Sequence, residues 1–195
     1  MLETLKLHNR RFQNAFYHNQ RLNKARRELF GCTDEIDIES LVSIPDDIGD
    51  GIYKCSVVYH SNIVDTIFQP YKKRDIKKLR LIVADKLDYS YKYADRSTLN
   101  MYLQQKGECD EVLFVRNKMI TDTTFTNIVF FDGAKWVTPS TPLLRGTKRE
   151  QLLKEGKITE APIKITDLNL YEKAGLINCM LDLGDSLVDL KDILF

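Results

Sequence analysis

The sequence predicts a mixed α/β (α+β) fold of two lobes, and three observations carry that prediction. Alternating apolar and polar runs flank one amphipathic helix in the first third of the chain. Short β signals broken by turns dominate the second half, and a helical stretch lies between the two regions. At 195 residues there is room for one sizeable domain or for two small ones sharing an interface.

Residues 2–8 alternate as a strand, the Asn9-Arg10-Arg11 break predicts a hairpin, and residues 17–30 form a helix that Gly31 stops. Tyr17, Leu22, Ala25 and Leu29 share one face of that helix. Two alternating runs, 52–60 and 62–69, are separated by little more than a turn. With the apolar run 79–83 they predict an antiparallel sheet. The charged Lys72-Lys-Arg-Asp-Ile-Lys-Lys78 stretch reads as a solvated connection, so residues 1–85 make a small N-terminal α+β lobe. From Asp95 the period is helical, with Leu99, Tyr102 and Leu103 at fitting spacing, until Gly107. Short strands follow at 111–115, 119–122, 127–131 and 136–138, the last two joined by the tight-turn dipeptide Asp132-Gly133. A helix over 148–155 follows Gly146. A short helix over 167–173, a strand over 176–183 and a last turn at 190–195 complete a β-rich C-terminal lobe, 86–195.

Hydrophobic residues make up 43% and charged residues 29%, an ordinary globular balance. The net charge of +1 demands no polyanionic partner, and no nucleic acid is expected. Cys32, Cys55, Cys109 and Cys179 lie far apart without zinc-ligand spacing, and read as reduced thiols of a cytoplasmic protein. Neither a signal peptide nor a membrane span is expected. His8, His18 and His60 have no acid or serine partner at informative spacing, so a hydrolase triad is not supported.

Three features carry chemistry. Lys92 lies in Tyr89-Ser-Tyr-Lys-Tyr-Ala-Asp-Arg96, where tyrosines can dehydrate its amine toward the nucleophilic neutral form; a surface lysine with its stem along tyrosine rings is the plain alternative. Asp122 follows an apolar strand and precedes a polar stretch ending in Thr126 and Asn127. Buried, it would hold a pyridinium proton; otherwise it is a turn aspartate. Gly146, Thr147 and Lys148 open a helix whose N–H groups and dipole suit a phosphate, with Arg21 as a further donor. Pro139 and Pro142 stiffen the approach to that helix and seat Leu144 against a flat ring, or simply rigidify a loop. A lysine to hold an aldehyde as a Schiff base, an acid for a ring nitrogen and oriented donors for a phosphate are what pyridoxal 5'-phosphate requires.

Taken together, these residues resemble the class IV aminotransferase family, which includes branched-chain and D-amino acid transaminases and aminodeoxychorismate lyase. The resemblance runs through Glu3-Thr4, His18-Asn-Gln-Arg-Leu22, Lys92-Tyr-Ala-Asp-Arg96, Ile120-Thr-Asp122, Thr126-Asn-Ile128, Asp132-Gly133 and Leu144-Arg-Gly-Thr-Lys-Arg149. It implies a two-lobed fold with its site between the lobes, pyridoxal 5'-phosphate held by Lys92, and phosphate contacts from Arg21, Gly146, Thr147 and Lys148. It also implies Leu144 packed on the ring, Asp122 at the ring nitrogen, and Thr126, Asn127 and Asn178 around the cofactor. Asp122 departs from the glutamate of many members, shortening its reach by one methylene. The first lobe is shorter than in most members, so substrate-gripping loops are expected to be missing or supplied by a partner. A homodimer and a small-molecule amino substrate are expected. Arg96 and Leu176-Ile-Asn-Cys-Met180 are similar to lyase segments and favour elimination over transamination; a non-catalytic ligand-binding relative is the contrasting class.

Overall fold

The computed structural model describes all 195 residues, which form two compact units. The first comprises residues 1–73 and 91–94; the second comprises 74–90 and 95–195.

In the first unit, β1 (Leu2–His8) turns tightly into β2 (Arg11–Phe12) and leads to α1 (Ala15–Phe30). A short α2 (Ile38–Leu41) precedes β3 (Ile52–Tyr59) and β4 (Ile63–Pro70). The sheet is antiparallel in the order β2-β1-β3-β4. β1 alternates as its pattern predicts, burying Glu3, Leu5 and Leu7 on one face. His18, Leu22, Ala25 and Arg26 form the buried stripe of α1, at the spacing of successive helical turns. Gly31 ends α1 at φ 66°, and its N–H returns to the carbonyls of Arg26 and Arg27. A side chain there would be strained.

The second unit opens with β5 (Leu79–Val83) and α3 (Ser97–Leu103), followed by β6 (Glu111–Arg116), β7 (Met119–Thr123), β8 (Asn127–Phe131) and β9 (Trp136–Pro139). Next come α4 (Thr147–Lys154), β10 (Thr159–Ala161), β11 (Lys173–Ile177), β12 (Leu187–Asp189) and β13 (Ile193–Leu194). β11 pairs with β8 over its whole length. A strand has two edges, so β7 and β9 must share the other: β7 pairs at Asp122–Asn127, β9 at Phe130 and Phe131. Leu113, Ile120, Ile128, Phe130 and Leu176 lie in the core of this sheet.

Several expectations are corrected. The run 79–83 does not join the first sheet; β5 pairs parallel with β6, and the intervening chain crosses over through α3. The boundary expected at residue 85 therefore gives way to one at residue 73, and Lys92 belongs to the first unit instead of the second lobe. The expected helix 167–173 is a 3-10 segment over 165–170, and Lys173 already opens β11. The strand expected to continue to residue 183 stops at Ile177, because the Asn178 Oδ1 accepts the Met180 and Leu181 N–H groups and bends the chain. Residues 190–195 include a 3-10 turn at 190–192, after which β13 adds a parallel rung to β5. The 72–78 connection has no regular structure, but it buries Ile76. No helix is long and apolar enough to cross a membrane.

Candidate functional site

In the first unit the chemistry gathers at the start of β1. Glu3 occupies the buried face, and His18 and Arg21, three apart on α1, meet it from one side of the helix. Arg21 donates through Nε to Oε1 at 2.8 Å and through Nη2 to Oε2 at 2.6 Å, a planar fork. Oε2 is also 2.7 Å from His18 Nδ1. Burial alone would raise the Glu3 carboxyl, but the charge and hydrogen bonds of Arg21, with the bond to His18, hold it at about 2. Burial pushes the His18 imidazole below its usual value against the pull of Glu3, and the charges of Arg21 and Lys92 add to that depression. An ionised carboxylate only accepts, so Nδ1 carries the shared proton. The acid partner that spacing did not reveal for His18 is therefore Glu3, fifteen residues away and on another element.

Lys92 is half-buried, and its carbonyl accepts the Leu2 N–H at 3.0 Å, beside Glu3 in sequence. The rings of Tyr91 and Tyr93 meet edge to face at 6.3 Å, and the Tyr91 hydroxyl donates to Glu28 at 2.9 Å. Tyr91, Lys92 and Tyr93 fall in the first unit and Tyr89 in the second.

The second unit builds its own polar centre. Asp122, at the end of β7, is 4% exposed. Its Oδ1 accepts the Asn127 side-chain amide at 2.8 Å and its Oδ2 accepts the Leu144 N–H at 2.9 Å. The second proton of the same Asn127 amide reaches the Leu144 carbonyl, also at 2.8 Å. Asp122, Asn127 and Leu144 therefore close a hydrogen-bonded ring. Burial pushes the Asp122 carboxyl up to about 6, against these donors, the charge of Arg149 and the Leu143 N–H. Gly146 abuts this ring: a Cβ there would fall 2.0 Å from the Asn127 Oδ1. Its φ of −69° is open to any residue, so the requirement is for space.

The remaining predicted residues are engaged as follows. The Thr126 hydroxyl lies 2.7 Å from that of Thr123 within the β7–β8 turn. Asn178 donates to the Phe125 carbonyl at 3.2 Å while capping its own turn. Thr147 and Lys148 are buried in the first turn of α4, whose cap residue, Gly146, brings no side-chain hydrogen bond. The Lys148 ammonium pairs with Asp182 at 2.6 Å, so its backbone is the part directed by the helix start. Arg96 donates to the Thr124 carbonyl at 2.8 Å.

Sequence spacing also missed three buried charges, one of them Arg26 on α1. Glu111, fully buried, accepts the Thr124 hydroxyl at 2.9 Å and steadies the turn after Asp122. Arg149, fully buried, donates to the Pro139 carbonyl at 3.0 Å and to Glu150 and Glu160. A charged residue carries no one-dimensional signal of its own burial, even where an apolar run follows it as at Glu111.

The chemistry of these donors suits a phosphorylated pyridine aldehyde. A carboxylate with a bond on each oxygen keeps lone pairs for a ring N–H, and its raised pKa makes it a willing acceptor. A glycine-capped helix start without a side-chain cap offers amides and dipole to an anion.

The family model described as amino-transferase class IV matches residues 69–184, more than half of the chain. An uncharacterized protein of Haemophilus influenzae is 34% identical over 182 residues, covering 92% of this chain and 97% of that one. A solved structure from Haemophilus somnus, described as a candidate 4-amino-4-deoxychorismate lyase, is 32% identical with a TM-score of 0.85 and covers 94% and 97%. A hypothetical aminotransferase from Mycobacterium tuberculosis, in its pyridoxal-phosphate-bound form, shares the fold at 16% identity and a TM-score of 0.75, covering 96% and 79%. By fold and by sequence the chain belongs to the class IV aminotransferase family.

Proposed function

We propose that this protein is a pyridoxal 5'-phosphate-dependent enzyme that eliminates the β-substituent of aminodeoxychorismate, giving 4-aminobenzoate and pyruvate. The observation that carries the cofactor reading is the buried Asp122, ringed by Asn127 and Leu144 and held near neutrality by burial. When bound, pyridoxal phosphate supplies an electron sink for negative charge at the substrate α-carbon.

The chain's own residues divide the remaining work. Lys92 would hold the aldehyde of the bound cofactor through its ε-amine. Its free amine would move a proton at the substrate α-carbon, first as a base and then as an acid. Asp122 would accept from the N–H of a bound pyridinium, a pairing that would lower its pKa from about 6. Asn127 fixes the carboxylate plane, and Leu144 is both backbone donor to Asp122 and the apolar face offered to the ring. A phosphate would suit the Arg21 guanidinium of the first unit and, in the second, the amides at the start of α4. Thr126 and Asn178 order the turns on either side, and Arg96 holds the Thr124 carbonyl.

The likeness to the Haemophilus somnus protein supports elimination, together with Arg96 and Asn178. Transamination of D- or branched-chain amino acids is the second reading, favoured by the family model itself. A homodimer in the cytoplasm, acting on a small amino substrate, completes the proposal. Pyruvate release from aminodeoxychorismate tests the reaction. No pyruvate, with amino acids converting the cofactor to its amine form, establishes transamination instead. Borohydride reduction followed by peptide mass mapping tests the linkage, and a modified peptide lacking Lys92 refutes its role.

A further inference from the structure

Glu3 is a buried carboxylate of the first unit that has no direct part in the proposed chemistry. It is fully buried, and both of its oxygens are occupied by the Arg21 fork, with His18 sharing Oε2. Arg21 is a long side chain on a helix face, 17% exposed. A side chain of that kind owes its orientation to what anchors its guanidinium. Two in-plane bonds, one from Nε and one from Nη2, fix both the position and the rotation of that plane, whereas a single bond fixes only its distance.

We propose that Glu3 is a positioning residue that gives the protein its preference for a phosphorylated cofactor, by locking the Arg21 guanidinium in one plane. The inference rests on the assignment of Arg21 to the phosphate. His18 is part of the device: its Nδ1–H fills the remaining direction at Oε2, so the carboxylate cannot rotate to follow Arg21 and the arginine must conform to it. Glu3 acts only through Arg21, so its effect should follow the phosphate and ignore the pyridine.

The test is the affinity of the purified, cofactor-stripped protein for pyridoxal 5'-phosphate and for pyridoxal, read by visible absorbance and isothermal titration. The Glu3→Gln variant is isosteric and keeps one acceptor, so Arg21 loses half of its fork. Its affinity for pyridoxal 5'-phosphate should fall about tenfold, the size of one lost charge-assisted bond, while its affinity for pyridoxal stays that of wild type. In an Arg21→Lys background, which has no fork to lock, Glu3→Gln should add nothing further. Equal weakening toward both ligands, or additive losses in the double variant, overturns the role of Glu3. Should Glu3→Gln unfold in a thermal melt, Glu3→Asp keeps the charge, shortens the reach and carries the same two-ligand comparison. Wild type that binds neither ligand overturns the cofactor reading itself, a result distinct from loss of selectivity in the variant alone.

Discussion

At the scale of single residues, the second unit's chemistry depends on a count of donors and acceptors. Asp122 accepts the Asn127 amide on Oδ1 and the Leu144 N–H on Oδ2, with the Leu143 N–H as a further donor, and all are directed by the backbone or by a shared amide. Asp122→Asn keeps the shape but offers one acceptor and one donor. Turning the Asn127 amide to suit it would strip the Leu144 carbonyl of its donor. One buried group is then left unpaired whichever way the amides turn. The expected cost is about 1–3 kcal/mol in denaturant unfolding, with cofactor-dependent activity lost; a variant as stable as wild type contradicts the ring. Gly146→Ala places a methyl where the Asn127 Oδ1 now sits. It should displace Asn127 and weaken cofactor binding at least tenfold, the cost of losing one charge-assisted bond. Unchanged affinity by titration counts against the packing described.

At the scale of elements, β8 is the organising strand, because β11 takes one whole edge while β7 and β9 divide the other. Gly175 on β11 faces Val129 of β8, and an added Cβ would lie 3.0 Å from the Val129 Cγ2 and 3.3 Å from the Trp136 ring. Gly175→Ala should destabilise by about 1–3 kcal/mol through overpacking; a melting temperature equal to wild type counts against the close approach. Elements with a clean period were legible in the sequence: β1, α1, β3, β4 and the β8–β9 hairpin with its Asp132-Gly133 turn all fall within a few residues of expectation. What failed was pairing. The run 79–83 is apolar except for Arg80 and fits either sheet, and only the crossover through α3 decides for β6. β10, β12 and β13 are two or three residues long, too short to show a period, and are specified by the strands they join. The candidate residues were legible as an ordered set of motifs. The Glu3–His18 contact was not, because it joins a strand to a helix and leaves no spacing to read.

At the scale of the whole molecule, two buried carboxyls pull stability in opposite directions as pH changes. The folded value of Asp122, about 6, lies above its ordinary 3.8. Its contribution to the cofactor-free fold is therefore complete below about pH 3.8 and is lost as pH rises through 6, a change of about 3 kcal/mol. Glu3 runs the other way: with a folded value of about 2 against an ordinary 4.5, its contribution is present above 4.5 and is lost as pH falls through 2. Urea unfolding of the cofactor-free protein from pH 4 to 7 should show wild type losing ground to Asp122→Asn as pH rises. A constant difference between the two would remove Asp122 from the pH response.

The vacancy of side-chain atoms at position 146 reaches beyond the local clash. Since the Asn127 oxygen occupies the volume a methyl would need, the two positions are not independent choices for evolution or for an engineer. Any relative of this fold that carries a larger residue at 146 must carry a shorter one at 127, and must find another tether for the Leu144 carbonyl. Libraries that randomise either position alone should recover almost only the parental residue, whereas paired randomisation should open combinations that single substitutions never reach.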